Sequence, residues 1–207
     1  MGRARLLKSV LKGIYTLELL GVKADIDTLA GKLGLDEGYV AEALEILAGR
    51  GLISLDSGFH LKEGGRASLK VVLAGGVFDI IHPGHVYFFK EAKKLGDVLV
   101  VSVARDKTVE RLRGGKALHD ENLRLELVSS VRYVDCALLG SEKDIFDTVL
   151  RIRPDVIALG YDQKHDESEL ERRALEAGLK LKVVRLGSPL PDIKSSKIKG
   201  KGPLSRI

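Results

Sequence analysis

The fold is decided by a run of eleven residues in which a strand passes into a helix, Gly75-Gly76-Val77-Phe78-Asp79-Ile80-Ile81-His82-Pro83-Gly84-His85. The apolar residues at positions 69–74 predict a strand before this run, and the helical pattern after it begins near Gly84. In a parallel α/β sheet, ligands bind beyond the carboxyl ends of the strands, in connections of this kind. We therefore expect a ligand site within the run.

Each residue type in the run has a physical use near a phosphate. Gly75 and Gly76 let the backbone approach a ligand closely and tolerate unusual dihedral angles. The start of the helix offers N–H groups and a positive dipole end to an anion, and Pro83 is tolerated there. His82 and His85 are three residues apart, so one helical turn places both imidazoles on the same side. Their N–H groups suit oxygens that gain charge in a reaction.

Two further residues of the run have expected roles. Phe78 is expected to pack inward, and Asp79 to orient a histidine or to hold a metal-bound water.

The sequence after the run alternates apolar, strand-like segments with amphipathic helices. The predicted strands are 69–74, 98–103, 136–139, 156–159 and 181–186, and the predicted helices are 86–95, 107–112, 122–131, 145–152 and 167–177. Continuously apolar strands that alternate with helices indicate an α/β fold, a doubly wound parallel sheet covered on both faces.

The first third of the chain has a different pattern. It predicts three helices, of which the second spans 26–33 with Asp27 as a possible N-cap, followed by a hairpin over 52–61. This order resembles a small winged helix-turn-helix domain over residues 1–66. Residues 63–68 are interpreted as a linker, and 67–207 as the second domain.

The run at 75–85 resembles the His-x-Gly-His signature of the cytidylyltransferase-like nucleotidyltransferases. This resemblance implies a Rossmann-like fold of the HUP type, preceded here by the small front domain. It also implies that a phosphate-bearing acceptor attacks the α-phosphorus of a nucleoside triphosphate and releases pyrophosphate. Mg²⁺ is expected with the triphosphate, held mostly by phosphate oxygens and water, and the protein's own metal ligands stay unknown.

The resemblance also implies roles for individual residues. His82, His85 and Lys116 are the expected catalytic residues at the α-phosphate, and Asp79 and Arg124 are expected to contact the acceptor. The segment 193–199 resembles the family's late Ile-Ser-Ser-Ser-x-Ile-Arg motif, with lysines in place of its first serine and its arginine. The expected nucleotide contacts are Gly75, Gly76, Val77, Phe78, Pro83, Gly84, Gly160, Asp162, Ser195, Ser196 and Lys197.

The acceptor is open between two branches of that family. Residues 103–109, 139–141 and 160–163 resemble archaeal FAD synthases, which transfer AMP from ATP to FMN. Residues 116–119 and 195–199 resemble glycerol-3-phosphate cytidylyltransferases, which use CTP. FMN is the favoured acceptor and glycerol-3-phosphate the alternative.

A different class of function is a DNA-binding regulator that senses a nucleotide or flavin. Residues 1–66 contain nine Lys or Arg and nine Asp or Glu, so none of the net charge of +5 lies there. The candidate recognition helix exposes Glu42 and Glu45 and has Arg50 only at its far end. Because DNA binding depends on basic contacts to phosphate, we expect protein contact or a homodimer in preference to DNA binding.

Composition sets the remaining expectations. No apolar run reaches the roughly 20 residues of a membrane span, and the single cysteine, Cys136, has no internal partner for a disulfide. We expect a cytoplasmic protein without membrane contact. One Asn, one Gln, one Cys and one Met beside many Lys, Arg and Glu are typical of a thermophile.

Overall fold

The computed structural model of the chain describes residues 2–188. The chain folds into two compact units, Met1–Lys70 and Val71–Ile207. This division lies four residues after the boundary expected from the sequence.

The first unit contains three helices and a two-stranded antiparallel sheet, followed by a short fourth helix. Its elements are α1 (Arg3–Leu20), α2 (Ile26–Leu33), α3 (Glu37–Gly49), β1 (Ile53–Leu55), β2 (Phe59–Leu61) and α4 (Glu63–Ala67). Asp36 caps α3 through Gly38 N at 2.9 Å. The N-cap of α2 is Asp25, whose carboxylate accepts from Thr28 N at 3.0 Å, and not Asp27, which lies inside the helix.

The expected linker at 63–68 is a short helix, α4, and this prediction was wrong. Gly65 is buried against the backbone of Leu52, where an added Cβ would lie 2.1 Å from the carbonyl oxygen. The amide of Lys62 also donates to that carbonyl, at 3.0 Å. Gly65 therefore allows close packing of the helix against the hairpin, whereas the sequence pattern suggested a flexible connection.

The second unit is a doubly wound α/β fold, as predicted. Its elements are β3 (Val71–Gly76), α5 (Pro83–Lys93), β4 (Val98–Val103), α6 (Asp106–Arg113), α7 (Glu121–Ser129), β5 (Cys136–Leu139), α8 (Ile145–Ile152), β6 (Val156–Gly160), α9 (Glu167–Glu176) and β7 (Lys182–Leu186). The five strands are parallel in the order β5-β4-β3-β6-β7.

Strand β3 is central and decides where a ligand can bind. The chain winds from β3 through β4 to β5 on one side and then returns to place β6 and β7 on the other. The strand order therefore reverses between β3 and β6, which is the topological switch point of such folds. Gly75 and Gly76 belong to β3 itself, because they pair with Ser102 and Val103 of β4.

The core of the second unit consists of β-branched and small residues of the strands and one face of α5. Phe89 and Ala92 of α5 are fully buried against it, together with Val72, Ala74, Leu99, Val101, Val103 and Ala158. Among the helices that the structure describes, none combines the length and the apolar content needed to cross a membrane.

Candidate active site

The connection from β3 to α5 brings both motif histidines to the start of a helix. His82 is the N-cap of α5, with an extended backbone and no capping bond from its side chain, and Pro83 occupies the first turn. The amides of His85 and Val86 donate to the carbonyl of His82 at 2.9 and 3.2 Å. The positive end of the α5 dipole therefore lies at the switch point, as the sequence predicts.

The unusual backbone angle of this connection belongs to Phe78 and not to the two glycines. Phe78 has φ of +52°, and its buried ring lies 5.0 Å from Phe89 and edge-on to His85 at 5.3 Å. An added Cβ on Gly76 would lie 2.7 Å from that ring. Gly76 therefore leaves space for the ring of Phe78, which packs against His85. The sequence predicted that Phe78 packs inward, but it did not predict this role of Gly76.

His82 and His85 form a stacked pair. Their ring centroids are 3.8 Å apart with an interplanar angle of 23°. Both Nδ1 atoms are buried without a hydrogen-bond partner, and only Thr108 Oγ1 shares this condition among the side chains of residues 2–188. Buried polar atoms without partners are rare in folded proteins, so a pair of them sets this position apart from the rest of the described residues.

The surroundings keep both imidazoles neutral. Burial lowers the pKa of His82, and burial with the neighbouring His82 lowers the pKa of His85 to about 4. Asp162, in the turn that follows β6, raises both pKa values, and Ile80 raises that of His85 through its backbone. At neutral pH each ring is therefore an uncharged group that donates one N–H.

Arg113 is a charged neighbour that the sequence did not single out. It is the last residue of α6, and its charge lowers the pKa of His85. The only sequence signal is a pair of basic residues, Arg111 in the last turn of the predicted helix and Arg113 just after it, immediately before the Gly-Gly-Lys segment. A cation near the histidine pair suits an anionic ligand.

Lys116 lies on an exposed loop between α6 and α7. The loop begins at Gly114, whose φ of +68° ends α6. Its far end is fixed by Asp79, whose carboxylate accepts from Leu118 N at 2.9 and 3.0 Å and from His119 N at 3.0 Å. The ammonium of Lys116 is therefore solvent-accessible on a segment anchored to the motif.

Asp79 does orient a histidine, but that histidine is His119. The backbone oxygen of Asp79 lies 2.7 Å from His119 Nδ1, and the side chain of Asp79 is completely buried. A carboxylate without exposed surface, whose oxygens already accept loop amides, has no face for a substrate. The expected acceptor contact at Asp79 is thus replaced by a role in fixing the loop.

The same correction applies to Arg124, which has no exposed surface. Its Nε donates to His119 O at 3.0 Å, Nη1 donates to Val77 O at 2.8 Å and to Ala104 O at 2.7 Å, and Nη2 pairs with Asp106 at 2.6 Å. The guanidinium therefore joins four segments of the chain. We infer that it holds the site together and does not contact the acceptor.

The expected nucleotide contacts are distributed around the switch point. Gly75, Gly76 and Val77 end β3 and begin the connection, Pro83 and Gly84 begin α5, and Gly160 ends β6 beside them. The expected contacts Ser195, Ser196 and Lys197 lie outside the described residues.

Residues 2–188 contain no group of three or more His, Cys, Asp or Glu side chains placed to hold a metal ion. Of the carboxylates in this region, Asp79 is committed to backbone amides, and the charge of Asp162 acts on the histidines. The described residues therefore do not fit a metal site made by the protein alone.

Comparison with known proteins agrees with this geometry. Residues 73–201 match the family described as cytidylyltransferase-like. An FAD synthase of Aciduliprofundum boonei is 56% identical over 115 residues, which are 56% of this chain and 76% of that protein. An FAD synthase of Picrophilus torridus is 48% identical over 125 residues, 60% of this chain and 89% of that protein.

One solved structure is also similar. The lipopolysaccharide core biosynthesis protein from Thermoplasma volcanium superposes with a TM-score of 0.56 at 50% identity, over 58% of this chain and 98% of that one. The fold, the motif at the switch point and these matches agree with one another. The chain belongs to the cytidylyltransferase-like family, and it is a nucleotidyltransferase.

Proposed function

We propose that the protein is an FMN adenylyltransferase, an FAD synthase that transfers AMP from ATP to FMN. The observation that carries this proposal is the identity of 48–56% to proteins named FAD synthase, across 76–89% of the length of the two relatives described above. Such identity over most of a small enzyme favours a shared acceptor as well as a shared fold.

The reaction consists of one in-line displacement. A phosphate oxygen of FMN forms a bond to the α-phosphorus of ATP, the bond from that phosphorus to the bridging oxygen breaks, and pyrophosphate leaves. No covalent intermediate with the protein is needed, so catalysis comes from positioning and from stabilising charge on the phosphate oxygens.

The histidine pair suits that task. His82 and His85 lie at the positive dipole end of α5. The stacked rings are neutral, and each has one N–H group that can donate to a phosphate oxygen. As negative charge builds on the α-phosphate, both donors and the positive helix end stabilise it. We propose that Lys116 and Arg113 add positive charge from the α6 side, and that Ser195, Ser196 and Lys197 hold the leaving pyrophosphate.

Mg²⁺ is proposed to enter with the triphosphate. Its ligands would be phosphate oxygens and water, since the described residues do not form a metal site of their own. When bound, the ion supplies positive charge to the phosphates.

The acceptor can be tested directly. The protein is incubated with Mg²⁺ and either ATP plus FMN or CTP plus glycerol-3-phosphate, and products are separated by chromatography while pyrophosphate is measured. FAD and pyrophosphate are expected in the first mixture only, and His82→Gln is the inactive control. Pyrophosphate in the second mixture alone would show a glycerol-3-phosphate cytidylyltransferase and overturn the proposal.

For the first unit we propose a role in protein contact, such as a homodimer, in preference to DNA binding. The solvent-exposed side of α3 carries Glu42 and Glu45, together with Tyr39, which is 61% exposed. Carboxylates on this face repel a phosphate backbone, whereas an exposed tyrosine is typical of protein interfaces. A gel shift with the whole protein at low salt should show no complex with duplex DNA; a clear shift that Glu42→Lys strengthens would contradict this proposal.

A further inference from the structure

The turn that follows β6, residues 160–165, is fixed by an unusual number of hydrogen bonds for an exposed segment. The turn closes on itself through Gln163 N, which donates to Gly160 O at 3.2 Å. The side chain of Gln163 accepts from Gly160 N at 2.8 Å. Both ends of this short turn are therefore held together by one residue.

Gln163 also ties the turn to the neighbouring strand. Its Nε2 donates to Gly75 O at 2.7 Å, across 88 positions of the sequence. Gly75 lies near the end of β3 and Gly160 ends β6, so one amide bridges the two strands at the switch point. The side-chain amide supplies both the donor and the acceptor that this bridge uses.

Arg185 of β7 holds the same turn from the other side. Its Nη1 donates to Gly160 O at 3.1 Å and to Gln163 O at 2.7 Å, and Nη2 donates to His165 O at 2.8 Å. The orientation of the guanidinium is set by Glu167, which accepts from Nε at 2.7 Å. Three carbonyls of one turn are thus bound by a single rigid group.

What the turn carries explains this arrangement. Asp162 lies inside it, and its charge acts on both His82 and His85. We propose that Gln163 and Arg185 are positioning residues, which hold Asp162 beside the stacked histidine pair by fixing the turn to the ends of β3 and β6. Neither residue needs to contact the substrate for this role.

The placement has a measurable consequence without any substrate. Burial lowers the pKa of His82, whereas Asp162 raises it. Burial, His82 and Arg113 lower the pKa of His85, whereas Asp162 raises it. If the turn loosens, the carboxylate moves away and the pKa of both histidines falls further.

The test is an NMR titration of the histidine side chains in the substrate-free protein, with the signals of the five histidines assigned by single His→Gln variants. Asp162→Asn and Gln163→Leu should each lower the pKa of His82, and the double variant should lower it no further than Asp162→Asn does. Arg172→Met is the matched control, because Arg172 also binds carboxylates, Glu169 and Glu176, but on the exposed side of α9.

Two outcomes would overturn the proposal: an unchanged pKa of His82 in Asp162→Asn, or a fall in that variant with none in Gln163→Leu. If Gln163→Leu is too unstable to titrate, Arg185→Lys replaces it, because lysine keeps the charge but cannot bind three carbonyls at once.

A second measurement, of the enzyme's activity, rests on the proposed function. Both single variants should reduce kcat/KM by roughly tenfold, and the double variant by no more, since small displacements of catalytic groups are costly. If FMN is not the acceptor, this second measurement does not apply, but the NMR titration still tests the positioning roles of Gln163 and Arg185.

Discussion

Two polar clusters lie at the carboxyl edge of the sheet, and they differ in how far their hydrogen bonds are satisfied. In the stacked pair, His82 and His85 both have a buried Nδ1 without a partner among the described residues. In the second cluster, the side chains of Asp79 and Arg124 are completely buried, and their hydrogen bonds given above end on backbone groups or on Asp106. The first cluster therefore has unused hydrogen-bonding capacity, whereas the second holds the loops around it.

The comparison teaches that a motif residue need not be a contact residue. Asp79 is only three positions before His82 in the same run, and both are expected to serve the site. Their surroundings separate them: saturated, buried charges stabilise the folded state, and unsatisfied groups at a helix start are available for chemistry.

Arg124→Met should lower the free energy of unfolding by about 3–5 kcal/mol, because it leaves three carbonyls and Asp106 without their donor. Lys116→Met is the matched control, since its side chain lies on an exposed loop and its loss should leave stability unchanged within about 0.5 kcal/mol. Urea denaturation measures both. Equal stability of the two variants would show that the second cluster does not hold the site together.

His82→Gln should have the opposite profile. Removing one donor at the α-phosphate should reduce kcat by about 100- to 1000-fold. The melting temperature should not fall, because the ring has an unpartnered nitrogen whose burial already costs stability. Steady-state kinetics measures kcat, and thermal denaturation measures stability. A large loss of stability with little loss of kcat would show that His82 stabilises the fold and does not act in catalysis.

The sequence predicted the fold closely where local patterns decide it. Strands β4 and β5 and helix α8 have the predicted bounds, because apolar runs and helical periodicity are read from neighbouring residues. The position of the site followed in the same way, since the run at 75–85 joins the first strand of the sheet to its helix. The glycines at 63–68 led to the wrong prediction of a flexible linker. Gly65 instead allows close packing against the backbone of Leu52.

The division between the two clusters could not be predicted from the sequence, because it depends on contacts between distant residues. Asp79 reaches Leu118 across 39 positions, and Arg124 reaches Val77 across 47. A single sequence shows only that a charged residue lies in a loop. Its hydrogen-bond partners come from distant segments, which meet only in the folded protein. The lone glutamine of the chain, Gln163, has a role that is equally invisible before folding.

The third prediction concerns the effect of pH on the first cluster. The pKa of His85 is about 4 in the folded protein against 6.5 for an ordinary histidine. Between these values the unfolded chain binds the proton and the folded protein does not, so stability falls as pH decreases from 6.5 towards 4. The loss attributable to His85 is at most about 3 kcal/mol.

Denaturation of the wild type and of His85→Gln between about pH 7 and pH 4.5 measures this contribution, because the interval spans most of the range in which only the unfolded chain binds the proton. The variant has no proton to gain at that position, so it should lose less stability than the wild type over the interval. Parallel curves would mean that His85 binds its proton at the same pH in the folded protein as in the unfolded chain, and the lowered pKa of His85 would then be wrong.

The smallest effect is expected at Gly76, where strand packing reaches the first cluster. Gly76→Ala would place a methyl group 2.7 Å from the ring of Phe78, whose edge lies against His85, whereas Gly75→Ala would meet nothing closer than Ser102 O at 3.7 Å. We expect Gly76→Ala to lower stability by about 1–3 kcal/mol through overpacking and Gly75→Ala to leave it nearly unchanged. Because the ring of Phe78 is buried and packs against Phe89, it has little freedom to turn aside, and the displacement should pass to His85. A changed histidine signal in the NMR spectrum of Gly76→Ala, absent from Gly75→Ala, would show that the reactive pair depends on a glycine that contacts no ligand; identical spectra would instead confine the role of Gly76 to the strand.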